Sequence, residues 1–120
     1  MTAIAIPNAN VVNSAIGGST NAPIHLAILA RHLRASLELK HCHDHGHAVL
    51  LLFNMQPAGE YLGEGYEREG WVSAVIAQLI QLGMIHEDAL TVNGKTIGEN
   101  CRAATTEDQR EIRPASDPIR

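Results

Sequence analysis

The stretch WVSAVIAQLIQL, residues 71–82, defines an element of the fold more clearly than any other part of the sequence. Its apolar residues recur at the spacing of one helix face, and Gly83 follows directly. Because glycine readily adopts the left-handed conformation found just past helix ends, the pattern predicts a helix that stops at residue 82. The apolar positions are Val72, Val75, Ile76, Leu79, Ile80 and Leu82.

Three segments around this helix indicate β-structure. Residues 49–53 read VLLLF, a short apolar run typical of a buried strand. Residues 90–97 read LTVNGKTI, in which Asn-Gly lies between β-favouring pairs and indicates a hairpin or tight turn. Residues 111–113 are a further possible short strand. We therefore predict an α/β fold with two main helices, a buried strand and a short turn-linked strand pair.

The N-terminal part of the chain predicts two helices. Residues 8–16 favour a short helix that ends at Gly-Gly, residues 17–18. One of the residues 19–21, Ser-Thr-Asn, is then expected to cap the second helix, with Pro23 in its first turn. Residues 24–33 are almost continuously apolar, which predicts a helix buried on most of its surface.

Composition and charge limit the classes of function. The chain has 120 residues and a net charge of −4, so a single small domain without the basic face of a nucleic-acid-binding protein is expected. No apolar run reaches the roughly 18 residues of a membrane span, and no signal peptide is recognised. Cys42 and Cys101 lie too far apart in sequence to suggest a disulfide framework. These features predict a cytoplasmic location and no membrane partner.

The stretch KHCHDHGHAV, residues 40–49, concentrates histidines and a cysteine of the kind that bind zinc. In an extended segment the histidines would all project to one face. Structural zinc sites usually draw ligand pairs from two separated segments, however, and no second pair at a recognised spacing is present. We therefore favour a solvated loop and assign no metal site, with a small histidine-rich metal-binding module as the alternative. The histidines are His41, His43, His45 and His47.

The remaining polar candidates are less specific. Residues 17–21 precede a helix start whose free N–H groups could bind a carboxylate or phosphate, although an ordinary capped helix explains the same pattern. Glu60, Glu64 and Glu99 could act as acids, bases or Mg²⁺ ligands, but nothing in the sequence pairs them. Lys95 follows an Asn-Gly pair without the glycine-rich loop of a phosphate-binding site.

Four stretches in order resemble consecutive motifs of one enzyme family. They are GGSTNAPIHLAILARH (17–32), NMQPAGEYLGEGYEREG (54–70), HEDALTVNGKTIGEN (86–100) and IRPASDPI (112–119). Together they resemble an internal segment of the dihydroxy-acid dehydratase and Entner–Doudoroff dehydratase family. The segments NAPIHL and QPAGEYLGE are most similar to the sequences of the sugar-acid branch, whose enzymes act on pentonates such as arabinonate or xylonate.

The resemblance implies a hydro-lyase that converts a 2,3-dihydroxy acid to a 2-keto-3-deoxy acid. The family uses an iron–sulfur cluster, which polarises the departing C3 hydroxyl, and Mg²⁺, which suits the carboxylate and C2 hydroxyl oxygens. The full-length enzymes are expected to be homo-oligomers. Residues 1–100 would then belong to the N-terminal catalytic α/β domain, and residues 101–120 would form a linker toward a C-terminal domain.

The resemblance also implies what this chain lacks. The motifs that supply the cluster cysteines and most of the Mg²⁺ ligands are not recognised in this chain. We therefore expect a fragment or truncated relative that is inactive alone. It is expected to hold neither cofactor and to contain no catalytic residue. Ser19, Thr20 and Asn21 are expected to border the substrate pocket. The histidine stretch is local divergence, as are Leu50, where the family usually has proline, and Trp71, where it usually has a second glycine. A structural or interaction protein that keeps the scaffold is a further alternative.

Overall fold

The computed structural model describes residues 3–35, 37–106 and 109–120, which contain five α-helices. Helix α1 packs against α2, α3 and α4, while α3 also contacts α2 and α5 contacts α4. Within these described ranges no helix is both long and apolar enough to cross a membrane. The helices are α1 (Ala5–Ala15), α2 (Ala22–His32), α3 (Leu39–Gly46), α4 (Trp71–Gln81) and α5 (Ile97–Cys101).

Helix α4 forms the centre of the hydrophobic core, which confirms the helix predicted for residues 71–82. It ends at Gln81, and Gly83 follows with a φ of 68°. Leu79 is fully buried, as are Leu52 and Ile112 from the chain segments that cover the helix. Burial of each such aliphatic side chain stabilises the fold by about 1.5–3 kcal/mol relative to leaving it in water.

The predicted buried strand is not formed, and the α/β prediction is wrong. Among the described residues there are helices and three isolated β-bridges, without a strand. Leu51, Leu52 and Phe53 are buried as expected, but the N–H groups of Leu52 and Phe53 both donate to the carbonyl of Ala15, and that of Leu51 donates to Arg120. A short apolar run predicts that its residues are buried more securely than it predicts that they pair with another strand in a β-sheet. Here its neighbours are the end of α1 and the irregular C-terminal chain, so the pairing stops at isolated contacts such as the Phe53–Ile112 bridge and does not become a strand.

The predicted turn-linked strand pair is reduced to the turn. Leu90 and Thr96 form one antiparallel bridge, and Thr91 N–H donates to the Lys95 carbonyl at 2.9 Å. Gly94 has a φ of 81°, the conformation that an Asn-Gly turn requires. The tight turn is therefore confirmed, while the flanking residues are too few to continue the pairing.

The C-terminal segment returns to the core without forming the predicted short strand. Ile112 makes a single antiparallel bridge with Phe53. The buried carboxylate of Glu69 accepts the N–H groups of Arg110, Glu111 and Ile112 at 2.7–3.2 Å. A side chain therefore takes the place that a neighbouring strand would have in a ladder.

Helix α2 is exposed on most of its surface, so the expectation of a mostly buried helix is wrong. Ala30 is its only buried residue, while Ile24 and Ile28 are each 49% exposed and Leu29 is 44% exposed. The helix lies where residues 24–33 predicted it, and proline stands in its first turn as expected. The difference arises because α1 and α3 cover one side of the helix and no described element covers the other.

Candidate functional site

The turn between α1 and α2 depends on two glycines. Gly17 has a φ of 62°, and Gly18 lies so close to α1 that an added Cβ would sit 2.2 Å from Asn13 Oδ1. The N–H of Gly18 donates to the Asn13 carbonyl at 2.8 Å. The two glycines therefore end α1, as predicted, and let the chain turn tightly into the following Ser-Thr-Asn run.

The predicted substrate-contacting residues Ser19, Thr20 and Asn21 lie together in this exposed turn. Ser19 Oγ accepts the N–H of Asn21 at 3.1 Å, and the Ser19 carbonyl accepts that of Ala22 at 3.1 Å. Asn21 precedes the helix, but its side chain makes no capping hydrogen bond. Because these N–H groups donate within the turn, the geometry favours an ordinary helix start over the anion-binding alternative.

A cavity of about 1060 Å³ opens beside this turn. Thr20 and residues of helix α3 both contribute to its lining. The polar residues of its lining carry hydroxyl, amide, imidazole and guanidinium groups, and groups of these types hydrogen-bond to hydroxylated acids. These residues are Asn10, Asn13, Ser14, Thr20, His43, His47 and Arg120, and the remaining lining residues are Cys42, glycines and apolar residues.

A second cavity of about 610 Å³ lies between α1, α2, α4 and the chain leading into α5. Its lining is almost wholly apolar and includes Val12, Leu26, Val72 and Ile85. Residues 19–21 do not contribute to it. A cavity of this character suits an apolar side chain better than a sugar acid.

The histidine stretch is helical rather than a solvated loop, which corrects the sequence-based expectation. Cys42 points inward and is buried, and burial raises the pKa of its thiol. The Cys42 carbonyl also accepts Asn10 Nδ2 at 3.4 Å, which ties the helix to α1. A helix turns about 100° per residue, so alternate histidines do not share one face as they would in an extended segment. The side chain of His41 lies outside the described part of the structure.

The chain's own residues do not fit the iron–sulfur cluster that the resemblance implies. Cys42 lies on α3 and Cys101 on α5, two helices with no mutual contact in the described structure. Cys101 packs inside the hydrophobic core. No group of three or more His, Cys, Asp or Glu side chains among the described residues is placed to hold a metal ion.

The carboxylates singled out from the sequence have separate positions. Glu60 and Glu64 are exposed in the loop before α4. Glu99 belongs to a capping box: its backbone N–H donates to Thr96 Oγ1 at 3.1 Å, and its carboxylate accepts the N–H of Thr96 at 2.7 Å. These hydrogen bonds with Thr96 lower the pKa of Glu99. Glu99 thus has a structural role at the start of α5, beside the exposed Lys95.

Two buried carboxylates were not found from the sequence. Glu69 and Glu111 are 3% and 6% exposed, and Glu111 Oε1 accepts the Gly65 N–H at 2.9 Å. The other carboxylate oxygen of Glu111 is buried and has no hydrogen-bond partner in the described structure. Spacing offered no signal for either residue, because the backbone groups that they bind lie more than 40 positions away in the chain.

A buried asparagine links α1 to the chain after α4. Asn8 Nδ2 donates to the His86 carbonyl at 2.9 Å, and Asn8 Oδ1 accepts the His86 N–H at 2.8 Å. The amide therefore satisfies one donor and one acceptor of a distant backbone residue, as a strand neighbour would. This contact fixes the position of α1, and with it the glycine turn that borders the larger cavity.

Known proteins resemble this chain over its whole length. Residues 1–100 match the family described as dihydroxy-acid/6-phosphogluconate dehydratase N-terminal. The chain is 40% identical to a D-xylonate dehydratase of Caulobacter vibrioides, over 99% of this chain and 20% of that protein. It is 38% identical to a dihydroxy-acid dehydratase of Ignicoccus hospitalis (98% and 21%) and 38% identical to an L-arabonate dehydratase of Azospirillum brasilense (99% and 21%). The chain thus spans about a fifth of the length of these relatives.

Proposed function

This chain belongs to the dihydroxy-acid/6-phosphogluconate dehydratase family, and on that premise we propose that it forms part of the N-terminal catalytic region of a sugar-acid dehydratase. The observation that carries the proposal is the alignment with a D-xylonate dehydratase, which covers 99% of this chain but 20% of that enzyme. In this proposal residues 1–100 belong to the catalytic domain and residues 101–120 lead toward a second domain.

The proposed reaction removes one molecule of water from a 2,3-dihydroxy acid of the pentonate class. The C2 proton and the C3 hydroxyl leave, and the resulting enol ketonises to the 2-keto-3-deoxy acid. Ser19, Thr20 and Asn21 border the substrate in this proposal, because they are exposed in the turn after Gly17 and Gly18 and Thr20 lines the larger cavity. Since Cys42 and Cys101 do not fit a cluster, no step of the reaction is assigned to them.

We propose that the chain by itself is catalytically inactive. The support is the cysteine geometry together with the exposed apolar face of α2, which suits packing against further parts of a dehydratase. The test is to incubate the purified chain with D-xylonate or L-arabinonate and to assay the 2-keto-3-deoxy acid. No product is expected, and product formed by the chain alone would overturn the proposal of inactivity.

The proposed role in the enzyme is tested by segment replacement. The chain replaces the aligned segment of the Caulobacter D-xylonate dehydratase, and the folded chimera is assayed for D-xylonate dehydration. We expect activity, with a raised KM in the Ser19→Ala and Thr20→Val variants. The control is Ser116→Ala, an exposed serine far along the chain, which should leave KM unchanged. A folded chimera without activity would contradict the proposed role, and an unchanged KM would remove Ser19 and Thr20 from the substrate site.

A second candidate, an interaction protein that keeps the scaffold, is favoured by the exposure of Ile24, Ile28 and Leu29 on α2. The first proposal explains the same exposure through intramolecular packing. Sedimentation of the isolated chain separates the two: the interaction candidate requires self-association or a partner. A strictly monomeric chain that does not aggregate would count against it.

A further inference from the structure

Helix α3 brings two histidines together on one side of the molecule. His43 and His47 are four positions apart, and the N–H of His47 donates to the His43 carbonyl at 3.2 Å. The backbone of His47 is still right-handed helical, with φ −69° and ψ −23°. Because residues four apart lie on the same helix face, their rings meet, and the ring centroids are 4.5 Å apart.

We propose that His43 and His47 form a two-histidine site for a divalent first-row transition-metal ion such as Cu²⁺, Ni²⁺ or Zn²⁺. Neutral imidazole suits these ions, and Cu²⁺ is expected to bind most tightly. Metal–nitrogen bonds of about 2.0–2.1 Å allow one ion to join two rings at this separation. Two histidines at the same helical spacing supply the zinc ligands of the H-E-x-x-H motif.

The site holds two protein ligands rather than three. Cys42 and Asp44 are each one position from His43, so they project about 100° away around the helix. The Cys42 side chain is also buried, so it is not presented to an ion on the exposed face of the helix. The described residues hold no group of three or more metal-binding side chains, so water completes the coordination sphere.

The surroundings leave room for those waters. Both rings are exposed and both line the cavity of about 1060 Å³. The open coordination positions therefore face solvent and the cavity rather than packed protein. An exposed site with two protein ligands predicts reversible binding to the folded chain, without a contribution from any other part of a dehydratase.

The test is titration of the purified 120-residue chain with Cu²⁺ alone, followed by calorimetry and electron paramagnetic resonance. We expect one ion per chain and superhyperfine splitting from two nitrogens. His43→Ala and His47→Ala should each abolish this stoichiometric binding. The matched control is the His25→Ala/His32→Ala double variant on α2, which should leave it intact. Those two exposed histidines are seven residues apart, about 10.5 Å along the helix axis, too far to share one ion.

Several outcomes would overturn the proposal. They are the absence of stoichiometric binding to the wild-type chain, coordination by fewer than two nitrogens, retained binding in His43→Ala or His47→Ala, and equal loss in the α2 control. The spectrum of the wild-type chain decides the ligand count even where a variant fails to fold. Dehydratase activity is not measured, so failure here and failure of the proposed enzymatic role are separate results.

Discussion

Helices α2 and α4 have equal length and are both rich in aliphatic residues, yet they are buried to very different extents. Each has 11 residues. Helix α4 buries six of them, whereas α2 buries only Ala30. Helix α4 packs between α1 and α5 and is covered by the segments around Phe53 and Ile112, while α2 contacts only α1 and α3 among the described elements.

The comparison shows that an apolar helical sequence indicates that the helix needs packing partners, but it does not show that the fold supplies them. In α4 the apolar positions follow one face, and distant segments cover that face. In α2 the apolar residues surround the helix, so two neighbouring helices leave Ile24, Ile28 and Leu29 in solvent. We therefore expect substitutions in the α4 core to affect the free energy of unfolding far more than the same changes on α2.

The most direct test of the difference between the two helices is to truncate one leucine on each. Leu79→Ala on α4 should lower the free energy of unfolding by about 2–5 kcal/mol, because the side chain is fully buried and its loss leaves a cavity. Leu29→Ala on α2, where the side chain is 44% exposed, should cost less than about 1 kcal/mol. Urea unfolding followed by circular dichroism measures both. Equal losses would show that α2 is as well packed in solution as α4.

The next largest effect concerns Glu69, which holds the C-terminal segment on the α4 core. Glu69→Ala should lower the free energy of unfolding by about 2–4 kcal/mol, since it leaves the N–H groups of Arg110, Glu111 and Ile112 without their acceptor. Hydrogen exchange of the Ile112 amide should also become faster. Glu67→Ala, at an exposed position two residues away, is the control and should change little. A matching loss in both variants would mean that the carboxylate contacts do not stabilise this segment.

A smaller effect tests the start of α4. Trp71 has a φ of 57°, a left-handed conformation that costs a residue with a side chain about 1–2 kcal/mol. Trp71→Gly should therefore be more stable than Trp71→Ala by about 1 kcal/mol, the reverse of the usual helix preference. Both variants lose the ring contact with Tyr66 equally, so their difference isolates the backbone. If alanine is the more stable of the two, α4 begins in solution without the left-handed residue.

The smallest effect is the pH dependence of the α5 capping box. Hydrogen bonds with Thr96 lower the pKa of Glu99 in the folded state. The contribution of ionised Glu99 is therefore fully present above the unfolded-state pKa and is lost as the pH falls through the lower folded-state pKa. The stability difference between wild type and Glu99→Gln should be full at pH 7 and shrink below about pH 4.3. A difference that is independent of pH, or equal to that of Glu64→Gln, would contradict the capping role.

The candidate site shows which features can be predicted from the pattern of neighbouring residues in the sequence. The Gly-Gly turn was predictable because glycine supplies a conformation that other residues rarely adopt, and the Asn-Gly turn after Leu90 was predictable for the same reason. The burial of Glu69 and Glu111 was not, because their hydrogen-bond partners lie more than 40 residues away. The pairing of His43 with His47 depended on whether the segment is helical, and the alternating histidines had suggested an extended chain or a loop instead.

The sequence by itself determined the family, through four ordered motifs, and the position of α4, through the spacing of its apolar residues. Both are properties of neighbouring residues and need no knowledge of the fold. Tertiary structure alone decided that residues 51–53 are buried without becoming a strand and that α2 is exposed while α4 is covered. The physical reason is the same in each case: burial and pairing depend on which distant segment supplies the opposing surface, and that segment leaves no mark in the local pattern.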